Sequence, residues 1–160
     1  MSDGPEKQLV MNVLMTADMA NFSGNVHGGR ILSLLDGVAY ACAARYSRRY
    51  VVTLSVDQMF FKEPVHVGDL VTFKATINHT GRSSMEVGIR VEAENLQTGL
   101  RRHTNTCYFT MVALDEQRRP AAVPPLQLCN DEERQRHAAA ERRREQRKAT
   151  AAASAGRPAG

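Results

Sequence analysis

An aspartate sits where aspartate is costly. Asp36 falls in the middle of a run, residues 30–46, that is otherwise almost wholly apolar. Aspartate is a weak helix-interior residue, and a carboxylate among hydrocarbon costs several kcal/mol unless it is paired or solvated. Gly37 follows it, and glycine in mid-helix costs about 1 kcal/mol relative to alanine. Two readings stay open on these grounds. Asp36 could be a base or nucleophile held in an apolar cleft. It could equally be satisfied by Ser33 or Tyr40, one helical turn away, or look out through a narrow open face. Just upstream lies the polar, glycine-rich stretch 21–29, NFSGNVHGG. Gly28 and Gly29 lead into the start of the apolar run, where the free N–H groups of a helix N-terminus could polarise a carbonyl. A plain turn and cap is the other reading of such glycines. His27 in the same loop suits a supporting hydrogen bond better than the role of base.

Other chemistries find less support. The histidines at 27, 66, 79, 103 and 137 show no HxxxH or HxH spacing, so no metal site is expected from the sequence. No GxSxG elbow and no phosphate-binding glycine motif occur. The turn Thr80-Gly81-Arg82-Ser83-Ser84 offers a guanidinium and hydroxyls that suit a phosphate, or it is a solvated hairpin turn. Cys42, Cys107 and Cys129 are an odd set without CxxC spacing, read as free thiols rather than a disulfide framework.

The elements that must position these residues follow from periodicity. Residues 8–15 suit a strand. Residues 30–46 read as a helix apolar nearly all round, which predicts burial on every side. The period then changes from 3.6 to 2. Strands are predicted over 51–61, 70–78, 85–94 and 102–114, with turn chemistry at 64–69, 79–84 and 95–99. Met85, Val87, Ile89, Val91 and Ala93 should face a core, and Glu86, Arg90, Glu92 and Glu94 should face away. One buried helix followed by an antiparallel meander is an α+β arrangement whose single apolar sheet face wraps the helix.

The net charge of +4 is mostly a property of the end of the chain, where residues 130–160 carry eight basic and five acidic side chains. Residues 131–148 have helix formers but no apolar stripe, which predicts a solvated helix or disorder. Its arginines could suggest RNA or an acidic membrane. Their acidic interleaving and the lack of aromatics argue against both. The organisation expected is a disordered lead-in over 1–7, a domain over 8–126, and a charged tail over 127–160. The opening residues lack the apolar core of a signal peptide, and no run is long enough to span a bilayer, so a cytoplasmic location is expected.

Three blocks together resemble a known family. The first is Asn21-x-x-Gly24-x-x-x-Gly28-Gly29-x-x-Leu32-x-x-x-Asp36. The second runs Val51-Val52-Thr53 to Asp57, then Phe61-x-x-Pro64-Val65-x-Val67-Gly68-Asp69. The third is Thr80-Gly81-Arg82-Ser83-Ser84. In order and spacing they are similar to the hotdog-fold acyl-CoA thioesterases, over residues 8–115 or so. That resemblance implies an antiparallel β-sheet wrapped around a long central helix, and dimers, often assembled as trimers of dimers, with active sites shared between subunits. It implies Asp36 as general base or nucleophile and Asn21 holding the water or thioester. The amides near Gly28 and Gly29 would polarise the carbonyl, with Thr53 in a positioning role. Arg82, Ser83 and Ser84 would meet the CoA. No resident cofactor is implied, since CoA belongs to substrate and product. The tail beyond Leu128 has no counterpart in the family core. The competing function is an acyl-CoA-binding hotdog protein that senses without turnover. A hotdog hydratase would want a histidine paired with an acid, and none lies near Asp36 in sequence.

Overall fold

The computed structural model describes residues 4–156. Five strands, β1 (Gln8–Leu14), β2 (Tyr50–Val56), β3 (Asp69–Thr80), β4 (Ser84–Asn95) and β5 (Arg101–Leu114), form one antiparallel sheet in the order β1-β3-β4-β5-β2. Helix α1 (Gly28–Ser47) lies across one face, and α2 (Asp131–Ala155) packs on the sheet as well, against β3. This is the α+β arrangement that the periodicity predicts, with the helix wrapped by the sheet as the hotdog resemblance implies.

The alternation in β4 explains the core. Met85, Val87, Ile89, Val91 and Ala93 are all buried, as are Val71, Phe73, Ala75 and Ile77 of β3 and Cys107, Phe109, Met111 and Ala113 of β5. They meet Ile31, Leu35, Val38, Ala39, Cys42, Ala43 and Tyr46 on one side of α1. Burial pushes the thiols of Cys42 and Cys107 up to about 12, as expected of cysteines acting as small hydrophobes.

Three expectations are corrected. First, α1 is not buried on every side: Leu32, Ser33, Asp36, Gly37 and Tyr40 make an exposed face. Second, β2 stops at Val56 rather than reaching 61. A register shift between Thr53 and Ser55 interrupts its pairing with β5, which resumes at Ser55 and Val56 before the chain leaves the sheet with Phe60 and Phe61 exposed. Third, α2 is an ordered helix that is only partly solvated: most of its residues are exposed, but one face, with Ala140 buried, packs on the sheet. It docks through ion pairs instead of an apolar stripe, so Glu86, expected to face water, is only 3% exposed.

The α2 helix begins at Asn130, whose side chain accepts from the Glu133 amide, while the Glu133 carboxylate reaches back to the Cys129 amide. Residues 1–3 of the expected lead-in lie outside the described residues. Lys7, at its end, pairs with Glu133 at 2.8 Å, and its carbonyl accepts from the Ile77 amide. The proline-rich stretch before α2 straps back onto the sheet: Ala121 N–H donates to Ala113 and Val123 N–H to Arg82.

Candidate active site

Asp36 is brought together with Thr53. The Thr53 hydroxyl donates to Asp36 Oδ1 at 2.6 Å, so neither Ser33 nor Tyr40 satisfies the carboxylate. Both residues are exposed in the single chain. Thr53 occupies the residue before the irregularity in β2, where a bulge re-aims side chains. The carboxylate has no cationic partner among the described residues. Around it the surface is apolar: Leu32 and Tyr40 flank it on α1, and Tyr50 of β2 meets Tyr40 edge-on at 6.3 Å.

The second cluster is the loop that feeds α1. Asn21 Oδ1 accepts from the amides of Ser23 and Asn25 and from the Ser23 hydroxyl, which pins the loop as a turn. Its oxygen is thereby used locally, while its amide group donates no hydrogen bond among the described residues. Gly24 closes the turn with φ +82°, a conformation that suits glycine. Phe22, at the tip, is fully exposed. The loop is tied to its surroundings by Val26 N–H to Val65 and by His66 Nδ1 to Asn25 Oδ1 at 3.0 Å. His27 is the N-cap residue but makes no side-chain cap bond, so the first amides of α1, at Gly28 and Gly29, are left without an intrahelical or capping partner. The Phe61 ring lies 3.7 Å from where a Gly28 side chain would begin, so this residue closes over the helix start.

These two clusters do not meet within one chain. Asp36 lies eight residues after Gly28, which at 1.5 Å per residue puts it about 12 Å along the helix from the N-terminal amides. A single thioester carbon cannot touch both. The third group, Arg82, Ser83 and Ser84, sits at the β3–β4 turn. Gly81 N–H donates to the Ser84 carbonyl there, and a side chain at Gly81 would strike Ser84 Oγ at 2.6 Å and the Arg144 guanidinium at 3.3 Å. The turn therefore abuts α2. Phe61 stood in the second family-like block without an assigned role, and Arg144 was only one of the tail's basic residues; their places beside Gly28 and Gly81 become visible only once the loop and α2 are folded back.

Comparison with known proteins gives the class. Residues 23–100 match the thioesterase superfamily. The protein VdlD of Helicobacter pylori is 50% identical over 117 residues, covering 73% of this chain and 67% of that protein's length. A solved apo-hexameric acyl-CoA thioesterase superposes with a TM-score of 0.87 at 36% identity, covering 91% of this chain and 93% of that one. A Staphylococcus aureus acyl-CoA hydrolase, solved with butyryl-CoA, CoA and CoA disulfide, gives a TM-score of 0.84 at 28% identity, with 92% and 90% coverage. That enzyme has also been solved with alanine in place of one aspartate, one asparagine and one threonine. The chain belongs to the thioesterase superfamily, and within it to the hotdog-fold acyl-CoA thioesterases. The 91% coverage exceeds what residues 1–126 could supply, so part of the tail has a structural counterpart, contrary to expectation.

Proposed function

We propose that this chain hydrolyses acyl-CoA thioesters to CoA and a carboxylic acid, with Asp36 as general base. The observation that carries this reading is a carboxylate oriented by Thr53, without a cation to neutralise it, on an open and apolar face. The spacing of the mutated residues in the Staphylococcus aureus hydrolase supports it. Asparagine, aspartate and threonine stand 15 and 17 residues apart there, as do Asn21, Asp36 and Thr53 here.

Asp36 takes a proton from water as the oxygen adds to the thioester carbon. The carbonyl oxygen becomes an oxyanion, received by the Gly28 and Gly29 amides, whose dipoles already point outward. The Asn21 amide group holds the thioester or the water. Collapse breaks the C–S bond, and the CoA thiolate takes up a proton. Thiolate is a good leaving group, so no histidine acid is required. A direct attack by the Asp36 carboxylate would instead give a mixed anhydride, hydrolysed in a second step. Arg82, Ser83 and Ser84 meet the CoA.

Since base and amides lie about 12 Å apart on one helix, the complete site takes Asp36 from one copy and Asn21, Gly28 and Gly29 from another. The exposed residues Leu32, Tyr40, Tyr50, Leu54 and Val56 form the face that a second copy would cover, and β2 is an uncovered sheet edge suited to joining two sheets. Trimers of such dimers follow by likeness to the hexameric relative. Three free cysteines fit a reducing compartment such as the cytoplasm, and no helix among the described residues is long and apolar enough to cross a membrane.

The test is thiol release from acyl-CoAs of graded chain length by the purified chain and by Asp36→Asn. Turnover by the wild type that is lost in a folded variant supports the proposal. Tight binding without turnover in the wild type would establish a sensor instead.

A further inference from the structure

Folding brings together three side chains that the sequence keeps apart. His79 is on β3, just past a register shift between Ile77 and His79 that breaks the regular pairing with β4. His137 and Glu141 are on α2, one helical turn apart. The two imidazole rings stack with centroids 4.8 Å apart at 25°. His79 Nε2 and His137 Nδ1 each lie 3.9 Å from Glu141 Oε1, and the three potential ligand atoms all lie within 4.8 Å of one another.

That geometry is poor for hydrogen bonding and good for a shared ion. At 3.9 Å no hydrogen bond forms, and neither ring makes one to any other described residue. His79 is largely buried, at 12% side-chain exposure, yet its ring nitrogens have no such partner. Two nitrogens and a carboxylate oxygen around one tetrahedral ion, at bonds near 2.1 Å, would stand about 3.4 Å apart. Closing from the present spacing takes about 1 Å of movement, which the half-exposed His137 and the exposed Glu141 can supply while β3 fixes His79.

We propose that His79, His137 and Glu141 form a site for one divalent cation of the Zn²⁺ type, clasping α2 to β3. Two imidazoles and one carboxylate are a borderline donor set that selects zinc-like ions over Mg²⁺ or Ca²⁺. The fourth position opens to solvent. Arg144 is the one opposing charge close by. Of the other cations lining the same cavity as His79, Arg143 is matched by Glu86, Arg147 by Asp57 and Glu86, and Lys148 by Glu145. The site is separate from the Asp36 face, so it stands whether or not the chain is a thioesterase.

The full chain, stripped with EDTA, is titrated with ZnCl₂ at pH 7 by calorimetry, and with Co²⁺ by visible absorption. One ion per chain is expected, with tetrahedral d–d bands for Co²⁺ and a rise in Tm. Glu141→Gln, at an exposed position of α2, and His137→Ala, at a partly exposed one, should each weaken binding at least tenfold without altering the fold, and His79→Ala should do the same. The proposal is overturned if the wild type takes up no ion at micromolar concentrations. It is also overturned if the histidine variants bind as the wild type does, or if binding disappears in Cys129→Ser, which would place the ion at the exposed thiol.

Discussion

Two carboxylates in this molecule are treated in opposite ways. Glu86, on the sheet face under α2, is 3% exposed and fully engaged: Arg143 holds it at 2.6 Å, Arg147 approaches at 3.6 Å and Asn78 donates at 3.2 Å. Arg143 also lies 3.6 Å over the Tyr108 ring. Asp36, on the opposite side of the fold, is open and has one neutral donor, Thr53. A buried charge is tolerable only when such partners surround it, and removing one partner leaves the other stranded. A charge left unmatched on an apolar face stabilises little but remains reactive. The difference separates a carboxylate that holds the structure together from one available for chemistry.

Substitutions sharpen that contrast. Asp36→Asn should have the largest effect, lowering kcat by roughly 10²–10⁴-fold, the range of general base catalysis, with Tm unchanged in a thermal melt. Glu86→Gln should do the reverse. Leaving Arg143 without its carboxylate, while Arg147 keeps Asp57, should cost about 3–5 kcal/mol in urea unfolding, and any folded protein should turn over normally. Equal loss of activity in both variants at matched folded fraction would erase the distinction. Thr53→Val removes the one donor to Asp36. A hydrogen bond to a charged group is worth about 1.5–3 kcal/mol, so a roughly 10–100-fold drop in kcat/KM is expected in steady-state assays.

The smallest effect lies at the Lys7–Glu133 pair, which is partly exposed. The Lys7 hydrogen bond holds the Glu133 carboxyl below its ordinary value of 4.5, with the Cys129 amide adding to it. A depressed carboxylate stabilises the fold above its unfolded value, and that contribution fades as pH falls through the lower folded value. Lys7→Ala should therefore lower stability at pH 7 by less than about 1 kcal/mol, seen as a small fall in Tm, and flatten the acid-side decline as pH falls below the ordinary carboxylate value. An unchanged pH profile of Tm would show that the pair does not anchor α2.

How much of this the sequence could reveal depends on range. The core of β4 was legible because alternation is local: Met85 through Ala93 needs only a period of two. Asp36 stood out because a charge in an apolar helix is a local anomaly. The exposed face of α1 was not expected, since an apolar residue facing outward looks the same in sequence as one facing the core. The docking of α2 was invisible for a related reason. Its contacts are Arg143 to Glu86 and Arg147 to Asp57, separated by 57 and 90 residues, and an ion-paired helix face shows no apolar stripe. Thr53 was named only through family resemblance, because its bond to Asp36 depends on where β2 meets α1.

The central claim is that each active site is built from two copies of the chain. Mixing tests it most directly. Asp36→Asn and Asn21→Ala, each inactive alone, are unfolded together in equal amounts, refolded, and assayed for thiol release. If the sites are shared, mixed dimers carry one intact site, and activity should return to about a quarter of wild type. If both residues serve within a single chain, the mixture stays as inactive as its components, and the shared site is ruled out.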